Sequence, residues 1–198
     1  MVQDRFRQQI EFLVEIDKLK NVIRRSYLSA DPDRRENSAE HSWHVMVMAT
    51  ILKEYCQDSI DIDRVLKMLL IHDIVEIDAG DVSVYKRQNP TAIAEKEKNA
   101  AGRIFGLLPP DQRQEFLELW NEFEARSTAD ARFARSVDRL EPLIQNYYTQ
   151  GKTWRLDSIT YEKVVEINQK IVASSPTLWE FASSLIEDSV KKGYLIKE

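Results

Sequence analysis

The chain has 198 residues, 43% hydrophobic and 31% charged, which is enough for one domain that buries a sizeable core without disulfide staples. A net charge of −5 and a pI near 5.4 argue against a general nucleic-acid or membrane-surface binder, which needs a positive footprint, but leave room for a small phosphorylated ligand held by a few cations. The single cysteine, Cys56, fits a reducing, cytoplasmic setting. "MVQDRFRQQIEF" lacks the apolar core of a signal peptide, and no run approaches the roughly 18 apolar residues of a membrane span.

Helical periodicity dominates from the start. Phe6, Ile10, Leu13, Ile16, Leu19 and Ile23 recur every three or four residues and predict an amphipathic helix over roughly 3–26. The polar loop "SADPDRRENS" (29–38) leads to a second helix over about 39–56. A third covers about 63–77 and stops near Gly80, a left-handed terminator. After the loop "VSVYKRQNP" (82–90) a fourth helix runs over about 91–105. "LLPPDQ" is a break, with Pro110 suited to the first turn of a fifth helix at about 111–124. The sixth lies in "STADARFARSVDRLEPLIQNYYTQG", with Phe133, Val137, Leu140, Ile144 and Tyr147 on one face. Ser175 and Pro176 cap and open a last helix that Gly193 ends, and "LWEFASSLI" (178–186) within it serves either the core or an interface. No stretch alternates convincingly at period two. The expected fold class is all-α, a compact single-domain bundle of seven or eight helices with its core at about 5–150 and helices from 158 to 198 packed on it.

The chemistry concentrates in two short pieces. All three histidines fall in "AEHSWHVMVMA" (39–49) and "IHDIVE" (71–76). In "IHDIVEIDAGD" (71–81) four acids follow an apolar run, and no lysine or arginine occurs from Met68 to Tyr85. Burying such acids costs free energy unless a cation sits among them. Successive helix residues diverge by about 100°, so His72 and Asp73 can straddle one ion, while His72 and Glu76, four apart, share a face. His41 or His44 from the preceding helix could complete three ligands. Imidazole and carboxylate together suit Mn, Co, Fe, Ni or Zn better than Ca, and without a cysteine ligand set a structural zinc finger is out. The best fourth ligand is Asp138 in "ARSVDRLEPLIQ", at the edge of the sixth helix's apolar stripe; its alternative use is a salt bridge to Arg135 or Arg139. Pro142, four residues on, deprives the Asp138 carbonyl of its amide partner.

A histidine on one helix, "HD" on the next and a distant aspartate on a third resemble the HD superfamily of metal-dependent phosphohydrolases. "RRENSAEHSWHVMVMA", "LLIHDIVEIDAGD" and "ARSVDRL" look like the branch that includes the bacterial 5′-deoxynucleotidases, over roughly residues 5–150. The resemblance implies one divalent metal ion (Mn, Co, Mg, Fe, Ni or Zn) held by His41, His72, Asp73 and Asp138, with His41 favoured because it stands in the "EHS" triplet. It implies that Glu76 and Asp81 work at the reaction centre and that Arg24, in "LKNVIRRSY", binds phosphate. Where those enzymes place a tryptophan beside that arginine, this chain has Arg25, a second substrate-binding candidate. The implied function is hydrolysis of (deoxy)nucleoside 5′-monophosphates to nucleoside and phosphate, by a homodimer or higher homo-oligomer.

Three alternatives stand beside it. An HD phosphohydrolase acting on a nucleoside triphosphate or a guanosine alarmone calls for more cations than Arg24 and Arg25. A di-iron oxygenase needs further histidines, and none follows His72. A non-catalytic metal-binding interaction module needs neither Glu76 nor Asp81. Asp78 reads as a surface acid, Arg34 and Arg35 as solvated loop residues, and His44 as a supporting or core histidine.

Overall fold

The structure, a computed structural model, describes residues 2–86 and 89–197; Arg87 and Gln88 of the expected 82–90 loop lie outside the described residues. The elements in chain order are α1 (Val2–Ile16), β1 (Ile23–Tyr27), β2 (Arg35–Asn37), α2 (Ser38–Leu52), α3 (Ile62–Ile71), α4 (Glu76–Ala79), α5 (Pro90–Ile104), α6 (Pro110–Ala125), α7 (Ala129–Tyr148), α8 (Lys152–Asp157), α9 (Tyr161–Asn168) and α10 (Pro176–Lys191). Eight of these helices have eight or more residues, so the all-α class holds, with one small hairpin added. No helix among the described residues is long and apolar enough to cross a membrane.

The centre is α7. Phe133, Ala134, Val137, Leu140 and Leu143 are fully buried along it, and α2, α3, α6 and α10 pack around it. The helix runs unbroken through Pro142. On α10, Leu178, Ala182 and Ile186 face the core while Phe181 is exposed, so "LWEFASSLI" is mainly a core segment.

Two expectations change. The first helix ends at Ile16, ten residues early; Asp17–Asn21 tighten into a 3₁₀ turn, and 23–27 form a strand. Phe6, Ile10 and Leu13 are exposed, and the side chains that anchor this end are Phe12 and Leu19. The strand exists because β2 offers it an antiparallel partner, pairing Ile23 with Asn37 and Tyr27 with Arg35. The third expected helix breaks at "HD": α3 ends at Ile71 and α4 begins only at Glu76. Gly80 does close α4 with a positive φ of 76°, but its ψ of 151° is extended, a region open essentially to glycine alone.

The hairpin hands directly into α2 through a reciprocal cap. The Asn37 side chain accepts from the amides of Ala39 and Glu40, and Glu40 accepts from the Asn37 amide. Asn37→Ala is expected to lower stability by about 1 kcal/mol, read as a reduced urea midpoint; an unchanged midpoint would show that the cap does not hold this junction.

Candidate active site

The cap at Asn37 fixes the start of α2 and turns His41 inward against α7. His41 is fully buried. Its Nε2 lies 3.0 Å from Asp138 Oδ1 and 3.9 Å from Asp73 Oδ2. Its Nδ1 lies 3.2 Å from Glu141 Oε2 and 3.6 Å from Glu36 Oε2. Burial and the Arg24 charge both oppose a proton on His41, yet the contacts with Asp138, Glu141 and Glu36 outweigh them and hold its pKa well above the usual value. A positive charge is therefore favoured at this position.

The break after α3 supplies the second imidazole. Amides of Ile74, Glu76 and Ile77 bond back three residues rather than four, at 3.2, 2.9 and 3.2 Å. A three-residue turn advances about 120° per residue, so Asp73 and Glu76 share a face instead of His72 and Glu76. His72 points the other way, into the core beside Phe123. Its Nδ1 donates to the Leu69 carbonyl at 2.8 Å. A carbonyl can only accept, so this nitrogen carries a proton, and Nε2 is the nitrogen turned toward the carboxylates. That Nε2 is buried without a hydrogen-bond partner, 3.1 Å from Asp73 Oδ1 and 3.5 Å from Asp138 Oδ1.

Two carboxylate oxygens crowd this nitrogen and each other, and a positive charge among them offsets the repulsion. The donor set of two imidazole nitrogens and two carboxylates suits a borderline divalent metal. His41, His72 and Asp73 offer ligand atoms mutually within 4.8 Å, and Asp138 touches both imidazoles. The residues present fit a divalent ion.

A cavity of about 140 Å³ opens beside this cluster. Arg24, Glu76 and Asp81 all reach its wall. Arg24 Nη1 donates to Asp73 Oδ2 at 2.6 Å, with Nε 3.5 Å from Glu36. Ser38 Oγ donates to Glu76 Oε2 at 2.6 Å. Burial, then Asp73, push the Glu76 pKa well above the ordinary carboxylate range, and burial raises Asp81 as well. Arg25 also lines the cavity, but its guanidinium is tied back to Asp157 through Nε at 3.1 Å and a second, shorter Nη2 contact. The remaining candidates lie elsewhere: Arg34 pairs with Glu40, Arg35 covers the Tyr27 ring, and Asp78 pairs with Arg103.

Glu36, Glu141 and Arg126 join the site without having been singled out by the sequence, whereas His44 and Arg135 take the supporting and ion-pairing places it offered them. Glu141 accepts from both His41 and His44, the latter at 3.1 Å, which makes His44 a half-exposed supporting residue. Glu36, 1% exposed, closes the back of the site and accepts from Gln145 Nε2 at 2.8 Å. Arg135 donates to Asp138 Oδ2 at 3.1 Å, so Asp138 meets a histidine and an arginine together. Arg126 and Arg139 also line the cavity. Glu141 had a signal, being an acid inside the apolar stripe one turn past Asp138; Glu36, in a three-residue strand that reads as polar loop, and Arg126, just past the end of α6, had none.

An HD domain model matches residues 16–179. The chain is 32% identical over 139 residues to the 5′-deoxynucleotidase HDDC2 of Homo sapiens, covering 70% of this chain and 67% of that protein. It is 27% identical over 148 residues to the 5′-deoxynucleotidase hdd1 of Schizosaccharomyces pombe, covering 72% of this chain and 73% of that one. Among solved structures, a "Predicted metal-dependent phosphohydrolase" from Magnetospirillum magnetotacticum MS-1 is 48% identical, with a TM-score of 0.93 over 99% of this chain and 98% of its own. The PH0347 protein of Pyrococcus horikoshii, 21% identical with a TM-score of 0.61, covers 90% of this chain and 98% of its own and shares the fold.

Burial alone would raise the Glu141 carboxyl, but hydrogen bonds from His41 and His44 hold it down, to about 2, against an ordinary value of 4.5. The ionised carboxylate therefore favours the folded state above pH 4.5, and that contribution is lost as pH falls through the window toward 2. Urea midpoints of the metal-free protein should drop across this window, and Glu141→Gln should flatten the drop. A variant profile parallel to the wild type would show that Glu141 is not the group responsible.

Proposed function

The chain belongs to the HD domain family, and on that premise we propose that it is a divalent-metal-dependent phosphohydrolase cleaving (deoxy)nucleoside 5′-monophosphates to nucleoside and phosphate. The observation that carries this reading is His72 Nε2, buried without a hydrogen-bond partner and set among carboxylates beside a cavity on which Arg24, Glu76 and Asp81 converge. The similarity to proteins named 5′-deoxynucleotidase supports the substrate class.

His41, His72, Asp73 and Asp138 would hold the ion, with Glu141 and the Leu69 carbonyl fixing the two imidazoles through their other nitrogens. When bound, the ion supplies positive charge to the phosphate oxygens and lowers the pKa of water. Arg24, gripped by Asp73, neutralises the phosphate and places the phosphorus in line for attack. Glu76, with one oxygen held by Ser38, takes the proton from the attacking water; its raised pKa suits a base working near neutrality. The water oxygen bonds to phosphorus as the bond to the 5′-oxygen breaks. Asp81 carries the proton that the leaving 5′-oxygen receives, a role its raised pKa favours.

A specific observation also favours a second reading. Besides Arg24 and Arg25, the cavity wall holds Arg126, Arg135 and Arg139. Five arginines on one wall, with Arg25 engaged by Asp157 and Arg135 by Asp138 and Glu124, favour a substrate of more than one phosphate, such as a nucleoside triphosphate or an alarmone.

A panel of 5′-nucleotides assayed for phosphate release with Mn²⁺, Co²⁺ or Mg²⁺ decides between these. Monophosphates are expected to be the substrates, a chelator to abolish release, and added metal to restore it; turnover confined to triphosphates or alarmones would transfer the assignment to the second reading. Glu76→Ala and Asp81→Ala should each lower kcat by about a hundredfold or more while metal affinity is kept. Full turnover in either variant would remove that residue from the mechanism. Glu141→Gln should weaken metal binding about tenfold or more in a competition titration.

A further inference from the structure

The cavity wall contributed by α7 carries Arg135, Asp138, Arg139, Pro142 and Asn146, which recur within each turn and so share one helix face. Asn146 stands eight residues beyond Asp138, roughly 12 Å along the axis. It is 3% exposed. Its Nδ2 donates to the Pro142 carbonyl at 2.9 Å, which fixes the amide, since the reverse orientation would set two oxygens against each other. Its Oδ1 is therefore directed away from the helix backbone, and it is buried with no hydrogen-bond partner. A buried acceptor left unmet is costly, and a ligand donor relieves it.

The surroundings of this end differ from the other. Tyr85, Ile167 and Asn168 line the same cavity as Asn146, and Asn168 Nδ2 donates to the Tyr85 hydroxyl at 3.2 Å. These groups are uncharged, and burial pushes the Tyr85 phenol up, so it stays neutral. Of the two α7 arginines on the wall, Arg135 stands eleven residues before Asn146 and is held by Glu124 and Asp138, while the charge of Arg139 reaches Tyr85. Amide, phenol and apolar side chains together suit a heterocycle that offers a flat apolar face and an N–H edge.

Resting on the monophosphate reading above, we propose that the Asn146 end of the cavity is the nucleoside subsite, where Asn146 Oδ1 accepts a hydrogen bond from an N–H of the base. The phosphate then lies at Asp138 and Arg24, and the separation matches the reach of a nucleoside monophosphate from phosphorus to the far edge of its base. Pro142, between the two, presents a wall with no backbone donor to the sugar.

Phosphate release from 2′-deoxyadenosine 5′-monophosphate and from 2-deoxyribose 5-phosphate, which lacks the base, tests this in the metal-loaded wild type and in Asn146→Ala. The variant is expected to lose about tenfold in kcat/KM on the nucleotide, equivalent to ~1.4 kcal/mol, and nothing on the base-free ester. Equal losses on both esters, or no loss on the nucleotide, overturn the subsite. In the wild type, the nucleotide of unsubstituted purine, which lacks the amino group, should show a similar deficit that disappears in Asn146→Ala; a deficit unchanged by the substitution assigns the base contact to another residue. A wild type that hydrolyses no monophosphate at all, while cleaving triphosphates, would instead sink the reading on which the subsite rests.

Discussion

Four carboxylates, the buried ones of Glu36, Asp73 and Glu141 and the half-buried one of Asp138, surround two imidazoles, and the rest of the site follows from how their charge is met. Arg24 answers part of it on the Asp73 side, Arg135 on the Asp138 side, and His44 on the Glu141 side. What remains is concentrated where His72 Nε2 faces Asp73 and Asp138. The fold is arranged to reach this point from four directions. The hairpin brings Arg24 and Glu36, α2 brings His41, the break after α3 brings His72 and Asp73, and α7 brings Asp138 and Glu141. Each element is buried elsewhere by ordinary apolar contacts, such as Val45 and Ala49 on α2 and Phe133 and Leu140 on α7. The core thus holds groups in place that would otherwise separate.

How much of this was legible in sequence depended on whether a residue's partner lay within its own periodic pattern. Helical segments and the apolar face of α7 could be read because spacing of three and four carries that information. His41, His72 and Asp73 drew notice because all three histidines sit in two short pieces, and Asp138 because an acid beside an apolar stripe needs a partner. β1 was hidden because only its end residues, Ile23 and Tyr27, are apolar, so no alternating hydrophobic signal exists. Its identity is fixed by pairing with a segment that reads as a polar loop. The break at His72 was equally silent, because it is decided by three-residue backbone bonds within a run that also suits a continuous helix. The consequence for the site was large: a continuous helix would align His72 with Glu76, whereas the tight turn aligns Asp73 with Glu76 and sends His72 inward.

The hairpin shows how a small irregular element can matter more than its size. Arg24 and Arg25 are consecutive in β1, yet Arg24 reaches Asp73 in the site while Arg25 reaches Asp157 on α8. Lys86 meets the same aspartate at 2.9 Å. The strand therefore links the chemical centre to the C-terminal helices through adjacent residues, and a helix at this position would have put those two guanidinium groups about 100° apart.

Because Asp138 and Asn146 ride on one uninterrupted helix, the gap between them is set by backbone geometry rather than by any loop. α7 then acts as a ruler. A molecule gripped at Asp138 presents to Asn146 only what its own length carries there. Selection by such a wall measures how far a recognisable group lies from the phosphorus before it reads which group it is, so shortened or elongated esters are sorted without a single clash.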